Sequence, residues 1–382
     1  MKKIGIITIH NSPNYGASLQ SYALYKYIEL SGNEVEIIDL HRPIANKDYI
    51  PSKRYKRSRE VRQSLLTKLK SWIKHLSFLN KREINGYSAE AECKFYDFNK
   101  HIRLSKPYRS IDELYTNPPI YDLYIAGSDQ LWNPTQGYCI EPYFLTFVPH
   151  GIGKKISFAT SIGITDLREN EKIDFKRWLS KFDDISVREL QAQQMLQELL
   201  KDKKVHQVAD PTFLMEPSFW QQLAVKPQKE GYILLFTLGR NDSLLSYGIK
   251  LSKESGLPLV SLRQVQPDAP NSEYIAVKDA GPKEFLGYIS QADMVITDSF
   301  HCTVFSLIMG AKNFYTYIDP KNGRGSRIVD LLETYNLKNH LLDTSLLEEY
   351  NKLKARTVNH EEIFRIMSQE RLRSQEFLNQ YL

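Results

Sequence analysis

A single histidine stands in the run Asp298-Ser299-Phe300-His301, after the apolar stretch Met294 to Thr297 and before Thr303 to Met309, which Gly310 stops. That pattern predicts the end of a strand and the start of a helix. Free backbone N–H groups and the positive end of the helix dipole gather anions at such a turn. A histidine there suits proton donation or acceptance near neutral pH, with an anionic substrate held beside it. The adjacent Cys302 raises a thiolate nucleophile as a possibility, but neighbouring side chains point apart and a nucleophile needs its base in space. A buried, packed thiol is the expectation.

Two other loops carry polar groups of a different kind. Asn11-Ser12-Pro13-Asn14-Tyr15-Gly16-Ala17-Ser18-Leu19-Gln20 offers amides and hydroxyls, but neither Gly-x-Gly-x-x-Gly nor a P-loop lysine. Dinucleotide and triphosphate cradling are therefore not indicated, and a hydroxyl-rich ligand suits Asn14, Tyr15 and Gln20 better. Ser12 and Asn14 are also ordinary helix caps. Gly127-Ser128-Asp129-Gln130-Leu131-Trp132-Asn133-Pro134 adds a carboxylate, amides and an indole. Asp129, Trp132 and Asn133 suit a sugar, whose C–H face stacks on an aromatic ring while its hydroxyls hydrogen-bond. A capped turn with a packed tryptophan is the plain alternative.

Arginines recur at or near strand ends: Arg188, Arg240, Arg263, and Arg324 with Arg327 in a Gly-Arg-Gly-Ser-Arg run. Guanidinium groups grip phosphate and carboxylate in bidentate fashion, so the set points to an anionic substrate. Metal-ligand spacings such as His-x-x-x-His, Glu-x-x-His or an Asp-rich loop are missing, and no obligatory metal is expected.

The elements that must position these residues alternate strand-like and helix-like, the pattern of parallel sheets flanked by helices. Ile4 to Ile9, Val35 to Asp39, Tyr121 to Ala126, Lys155 to Thr160, Ile185 to Arg188 and Val205 to Ala209 read as one strand series. Pro211 breaks it, and the stretch from Glu216 to Gly231 reads as a crossover. A second series follows, with strands at Tyr232 to Leu238, Leu259 to Leu262, Met294 to Thr297 and Asn313 to Tyr317, and a helix at Pro282 to Gln291. The expectation is two Rossmann-like α/β domains facing across a cleft. Residues 1–215 form the first, on the acceptor side, and 216–345 the second, on the donor side. Helices in 346–382 pack back on the first. Ligands in such sheets bind at the carboxyl ends of the strands, where the polar loops lie.

Composition agrees with a folded protein: 382 residues, 42% hydrophobic and 25% charged. No run of about 18 apolar residues is present, and the apolar N-terminus lacks a cleavage site, so neither a membrane span nor a signal peptide is expected. Three cysteines without Cys-x-x-Cys spacing argue for a reducing compartment, and the expected location is cytoplasmic. The segment 53–82 holds eleven basic residues against Glu60 alone, more than the whole net charge of +6. Basicity is local, which argues against nucleic acid as a partner. Within it Val61, Leu65, Leu69, Trp72, Ile73, Leu76 and Leu79 fall at helical spacing. Such a helix either packs its stripe on the domain or rests peripherally on the anionic inner face of the cell membrane.

Asn14-Tyr15-Gly16-Ala17 with Leu19-Gln20, Gly127-Ser128-Asp129 with Trp132-Asn133, Ser186-Val187-Arg188-Glu189, Asp210-Pro211-Thr212 and Asp298-Ser299-Phe300-His301 together resemble the polysaccharide pyruvyl transferase family. The resemblance lies in their order and spacing over most of the chain. It implies a glycosyltransferase-B-like fold and transfer of pyruvate from phosphoenolpyruvate, a donor substrate and not a cofactor, onto two hydroxyls of a lipid-linked sugar as a cyclic ketal. By the same resemblance His301 matches a catalytic histidine and Arg188 a donor-binding arginine, with Asp129 at the acceptor. Many members carry an arginine shortly before the histidine, where Ser299 and Phe300 stand here. Another cation, Arg240, Arg263, Lys283 or Arg327, then has to meet the donor beside Ser299 and His301. Two rival functions share the architecture: a glycosyltransferase using a sugar nucleotide, and a non-catalytic glycan-binding protein.

Overall fold

The structure is a computed structural model that describes residues 1–10, 12–42, 50, 87–136, 139–262, 273–320 and 325–382. The basic stretch 53–82, Asn11, Arg263 and Arg324 lie outside the described residues.

The N-terminal half is built on β1 (Lys3–Ile7), whose Ile4, Ile6 and Ile7 are fully buried. An apolar run of this kind suits a central parallel strand covered on both faces. Helix α1 (Tyr15–Leu30) follows, its first turn capped by Asn14, whose side chain accepts from the Ala17 N–H. Twelve of the sixteen residues of α1 are buried, because it packs between the two halves of the molecule. The strands β2 (Glu34–Ile37), β3 (Leu123–Ala126) and β4 (Lys154–Ser157) complete a parallel sheet of order β2-β1-β3-β4, with helix α2 (Ala89–Asn99) between β2 and β3 in the chain. A parallel pair, β5 (Ile185–Val187) and β6 (Val205–Gln207), joins the β4 edge through bridges at Ile156–Asp184 and Thr160–Val187.

The C-terminal half repeats the design. Strands β7 (Ile233–Phe236), β8 (Leu259–Leu262), β9 (Ile275–Val277), β10 (Met294–Thr297) and β11 (Phe314–Thr316) form a parallel sheet of order β11-β10-β7-β8-β9. Helices α3 (Pro282–Gln291), α4 (Phe300–Ile308) and α5 (Ser326–Thr334) position its loops. The alternating pattern read from the sequence is thus realised as two all-parallel α/β units. Two elements escape that reading. β9 is a half-exposed edge strand of only three residues, and Pro217–Leu223 forms a helix inside the expected crossover, with proline at its first turn.

The halves share one apolar core. A single cluster runs from Ile4 and Leu19 through Phe213 and Trp220 to Phe236, Phe285, Phe305 and Phe377. At its centre Tyr15 stacks on Phe285 with ring centroids 4.5 Å apart and donates its hydroxyl to the Ala280 carbonyl at 2.8 Å. Helix α2 adds a polar clasp, with Lys94 donating to the Asp279 carbonyl at 2.9 Å. The C-terminal helix α6 (His360–Asn379) lies against the N-terminal half: Ser374 accepts from the Ala209 N–H and Gln375 donates to the Leu214 carbonyl. An interface this apolar holds the two sheets in register, whereas polar domain contacts commonly permit sliding. No helix among the described residues is long and apolar enough to cross a membrane.

Candidate active site

A cleft of about 450 Å³ opens between the halves at the strand ends. Asn14, Asp129 and Gln130 line one wall; Arg240, Asp298, Ser299, Phe300, His301, Tyr317 and Arg327 line the other. Its position follows from the topology, since the parallel strands of both sheets deliver their loops there.

His301 is the second residue of α4. The helix starts where it does because Ser299 caps it, accepting from the Cys302 N–H, while Thr303 closes the turn by donating its hydroxyl to the Ser299 carbonyl at 3.0 Å. Asp298 ties this turn to the end of β7, accepting from the Leu238 N–H at 2.8 Å and from the Asn241 amide at 3.2 Å. Burial pushes the Asp298 carboxyl above the ordinary range, and those hydrogen bonds oppose the push. Cys302 faces the core; burial drives its thiol up to about 12, which fits a packing role and not a nucleophile.

The imidazole of His301 reaches across to the N-terminal half. Its Nδ1 side lies against Gly16 in the first turn of α1, so close that a Cβ there would be 2.1 Å away. Its Nε2 is buried, makes no hydrogen bond and lies 3.6 Å from Asp210 Oδ2. Asp210 is wholly buried beside the start of a short 3-10 turn (Pro211–Leu214). Its Oδ1 accepts from both the N–H and the hydroxyl of Thr212, at 3.1 and 2.8 Å, which explains the Asp-Pro-Thr run. Its Oδ2 accepts from Arg188 Nη1 at 2.5 Å. Burial alone would raise this carboxyl; contact with His301, the Arg188 charge and the Thr212 N–H outweigh it and hold it well below the usual carboxylate range.

Arg188 follows β5 and is enclosed, with its side chain 4% exposed. Burial disfavours its charge, but Asp210, Glu189 and Asp129 together more than restore it. It lies 3.6 Å from Glu189 Oε1 and 3.8 Å from Asp129 Oδ1. Phe300 packs on it, the guanidinium carbon sitting 4.2 Å from the ring centroid, and both line a small cavity together with Arg327. Arg327 approaches the same ring at 5.5 Å and does line the cleft. Across the cleft Gln130 turns its amide to Arg327; with the oxygen assigned to that side, it accepts from Nη2 at 2.6 Å and from Nε and Nη1 at 3.1 Å. Asp129 presents its carboxylate to the cleft from a left-handed backbone conformation, φ 70°, pinned by hydrogen bonds from the Leu131 and Ser161 N–H groups to its carbonyl.

The structure therefore brings Asn14, Asp129, Ser299, His301 and Arg327 to one cleft. It places others elsewhere. Trp132 is fully buried, stacked on Phe144 at 5.3 Å, with its indole N–H donated to the Tyr143 carbonyl, so no ring face is open to a sugar. Asn133 is equally buried and accepts from Thr135. Tyr15 belongs to the aromatic contact between the halves. Gln20 braces the Asp129 loop from behind, accepting from the Ser128 N–H at 3.3 Å and donating to Thr8 at 3.1 Å. The structure places these four outside the cleft lining: local sequence showed their polar groups but not that packing turns them inward. Lys283 is likewise removed from the cleft wall, because it sits on the first turn of α3, on the side where the Val225 N–H meets its carbonyl. Arg240 reaches the rim but is exposed and bound to Asp242 by two contacts of 2.9 and 3.0 Å. Asp210, Gly16, Phe300 and Gln130 enter the site without having been singled out for it. Among the described residues, no group of three or more histidine, cysteine, aspartate or glutamate side chains is arranged to hold a metal ion.

Comparison with known structures shows the fold. The chain is similar to a UDP-N-acetylglucosamine 2-epimerase from Rickettsia bellii, with 9% identity, TM-score 0.53 and coverage of 100% of this chain and 98% of that one. It is similar to the glycotransferase of kitacinnamycin, with 12% identity, TM-score 0.51 and coverage of 100% and 99%. The architecture is thus the two-domain, Rossmann-like arrangement of glycosyltransferase-B enzymes. Comparison with curated proteins yields no match. The family model described as polysaccharide pyruvyl transferase matches residues 14–320.

Proposed function

This chain belongs to the polysaccharide pyruvyl transferase family, and we propose that it moves pyruvate from phosphoenolpyruvate onto two hydroxyls of one sugar in a lipid-linked precursor of a surface polysaccharide, closing a cyclic ketal. The observation that carries this reading is the pairing of His301 and Arg327 on one wall of the cleft with Asp129 on the other.

The chemistry asks for a proton donor, a cation for the donor's phosphate or carboxylate, and a base at the acceptor. In the first step His301 gives a proton to the methylene carbon of phosphoenolpyruvate, which becomes a methyl group. A sugar hydroxyl bonds to the neighbouring carbon and loses its proton to Asp129. The C–O bond to phosphate then breaks, the resulting oxocarbenium centre takes the second hydroxyl, and the departing phosphate accepts that hydroxyl's proton. Arg327 holds the donor's negative charge next to His301, and the free N–H groups at the start of α4 add to it. Asn14, at the mouth of α1, offers an amide to the acceptor.

The test is to incubate the protein with phosphoenolpyruvate and a panel of lipid-linked saccharides. Mass spectrometry should find a pyruvate ketal on one of them, with inorganic phosphate released. His301→Ala should abolish turnover while leaving the fold intact. Release of a nucleoside diphosphate from a sugar nucleotide, without ketal, would assign the protein to glycosyl transfer instead.

A further inference from the structure

We infer that Asp330, in the C-terminal half, is the positioning residue of Arg188, in the N-terminal half: it caps the helix that starts just after the arginine and so holds Arg188 in register with Arg327. This inference rests on the pyruvyl-transfer reading, with Arg188 at the donor as the resemblance implies.

The first ground is how the chain continues past Arg188. β5 ends at Val187, and a helix (Leu190–Leu199) begins two residues after the arginine. Glu189, at the cap position, gives that helix no side-chain cap; its Oε1 accepts from the Ser161 hydroxyl instead. The first N–H groups of a helix need acceptors from outside it. Asp330 supplies one from the opposite half, 140 residues away: its Oδ2 accepts from the Leu190 N–H at 3.1 Å.

The second ground is what Arg188 offers. Asp210 takes Nη1 at 2.5 Å, while Nε and Nη2 are buried without a hydrogen bond, with Glu189 and Asp129 standing off at 3.6 and 3.8 Å. Nε and Nη2 form one edge of the guanidinium, and such an edge grips a carboxylate or phosphate in bidentate fashion. That grip is directional, so it depends on the turn from which the arginine extends.

The third ground is the place of Asp330 itself. It lines a small cavity of about 40 Å³ together with Arg188, Glu189, Phe300 and Arg327. Arg327 lies three residues before it on α5, a spacing that puts both on one helix face. α5 thus reaches the N-terminal half through both residues, Arg327 toward Gln130 and Asp330 toward Leu190. The two cations come from different halves, and the Asp330 hydrogen bond ties the helix of one to the strand end that carries the other. The surroundings disfavour a charge on Asp330: burial pushes its carboxyl up and Glu189 and Glu333 add to the push, against the Leu190 and Gln191 N–H groups. Its contribution is therefore that of a hydrogen-bond acceptor at a helix start.

The experiment uses the full chain. Phosphoenolpyruvate is titrated calorimetrically into the wild type, Asp330→Ala, Asp330→Asn, Arg188→Lys and the double variant Asp330→Ala with Arg188→Lys, and pyruvyl-transfer kinetics and amide exchange are recorded on each. Asp330→Ala should weaken phosphoenolpyruvate about tenfold and leave the acceptor KM within about twofold. Amide exchange at Leu190 and Gln191 should quicken at least about fivefold. Asp330→Asn should restore both, because asparagine caps a helix as well as aspartate does. In the double variant the alanine should add less than about twofold to the loss in Arg188→Lys, as expected of a residue that acts through the arginine. If Asp330→Ala does not fold, Asp330→Ser shortens the reach and reads the same comparisons. Wild-type donor affinity in Asp330→Ala overturns the inference, as does a loss that adds in full to that of Arg188→Lys, or an Asp330→Asn enzyme as weak as Asp330→Ala. Each of these results leaves the pyruvyl-transfer reading standing. A wild type that neither binds nor turns over phosphoenolpyruvate removes that reading and the donor role of Arg188 with it, while exchange at Leu190 still decides whether Asp330 holds the turn.

Discussion

Gly16 and His301 touch across the two halves of the chain: a Cβ built on Gly16 would stand 2.1 Å from Nδ1 and 2.4 Å from Cγ of the imidazole. The seat of the histidine is therefore a helix turn without a side chain, supplied by the opposite sheet.

Gly16→Ala should push the ring out of that seat. A displacement on the order of 1 Å costs about 100-fold in rate where a proton must pass in a set direction. Overpacking of about 1–3 kcal/mol should lower the thermal midpoint as well. Steady-state kinetics below the melting range separate the two effects. A wild-type kcat in this variant would show that the ring position is not critical.

Trp132 distinguishes a core residue from a sugar platform. Trp132→Ala should destabilise the protein by about 3–5 kcal/mol through the cavity it leaves against Phe144. Trp132→Phe should retain most activity and an unchanged acceptor KM. Denaturant unfolding measures the first and acceptor titration the second; a large KM increase in Trp132→Phe would return the indole to the acceptor site.

Gln20 supports Asp129 at one remove. Gln20→Leu leaves the Ser128 N–H and the Thr8 hydroxyl without this partner, a loss of about 1–3 kcal/mol for buried groups. The Asp129 loop should loosen, lowering kcat while donor affinity is preserved. Equal loss of both would point to general unfolding.

Acid should destabilise the protein in two stages. Burial lowers His340, packed flat on Tyr315, with Arg356 adding to the effect against the opposing hydrogen bond that the ring Nδ1–H donates to the Phe314 carbonyl. Its folded form thus binds fewer protons than the unfolded chain below the ordinary value of 6.5. Stability from this group is complete above that value and is lost as pH falls through the depressed one. Asp210 is depressed too, so its contribution is complete above 3.8 and is lost only in stronger acid. Thermal midpoints between about pH 7.5 and about pH 5 should fall less in His340→Phe than in the wild type. An identical slope would show that His340 does not carry the first stage.

Much of the fold was legible because its signals are local. The strands at Leu259–Leu262 and Met294–Thr297 and the helix at Pro282–Gln291 have the same bounds in sequence and structure, since apolar runs, a first-turn proline and stopping glycines act within a few residues. The apolar run of β9, Ile275-Ala276-Val277 on a half-exposed edge, is too short to mark a strand by itself.

What the sequence by itself determined was the alternation of elements, the two parallel sheets and the placing of His301 at a strand-to-helix turn. Short-range backbone rules suffice for each. Only the tertiary structure decided where side chains point: Trp132, Tyr15, Gln20 and Asn133 inward, Arg188 against Phe300, Arg327 into the cleft. It alone brought Asp210 and Gly16 to His301. Those contacts depend on how distant elements pack around a shared core, and no pattern of neighbouring residues carries that information.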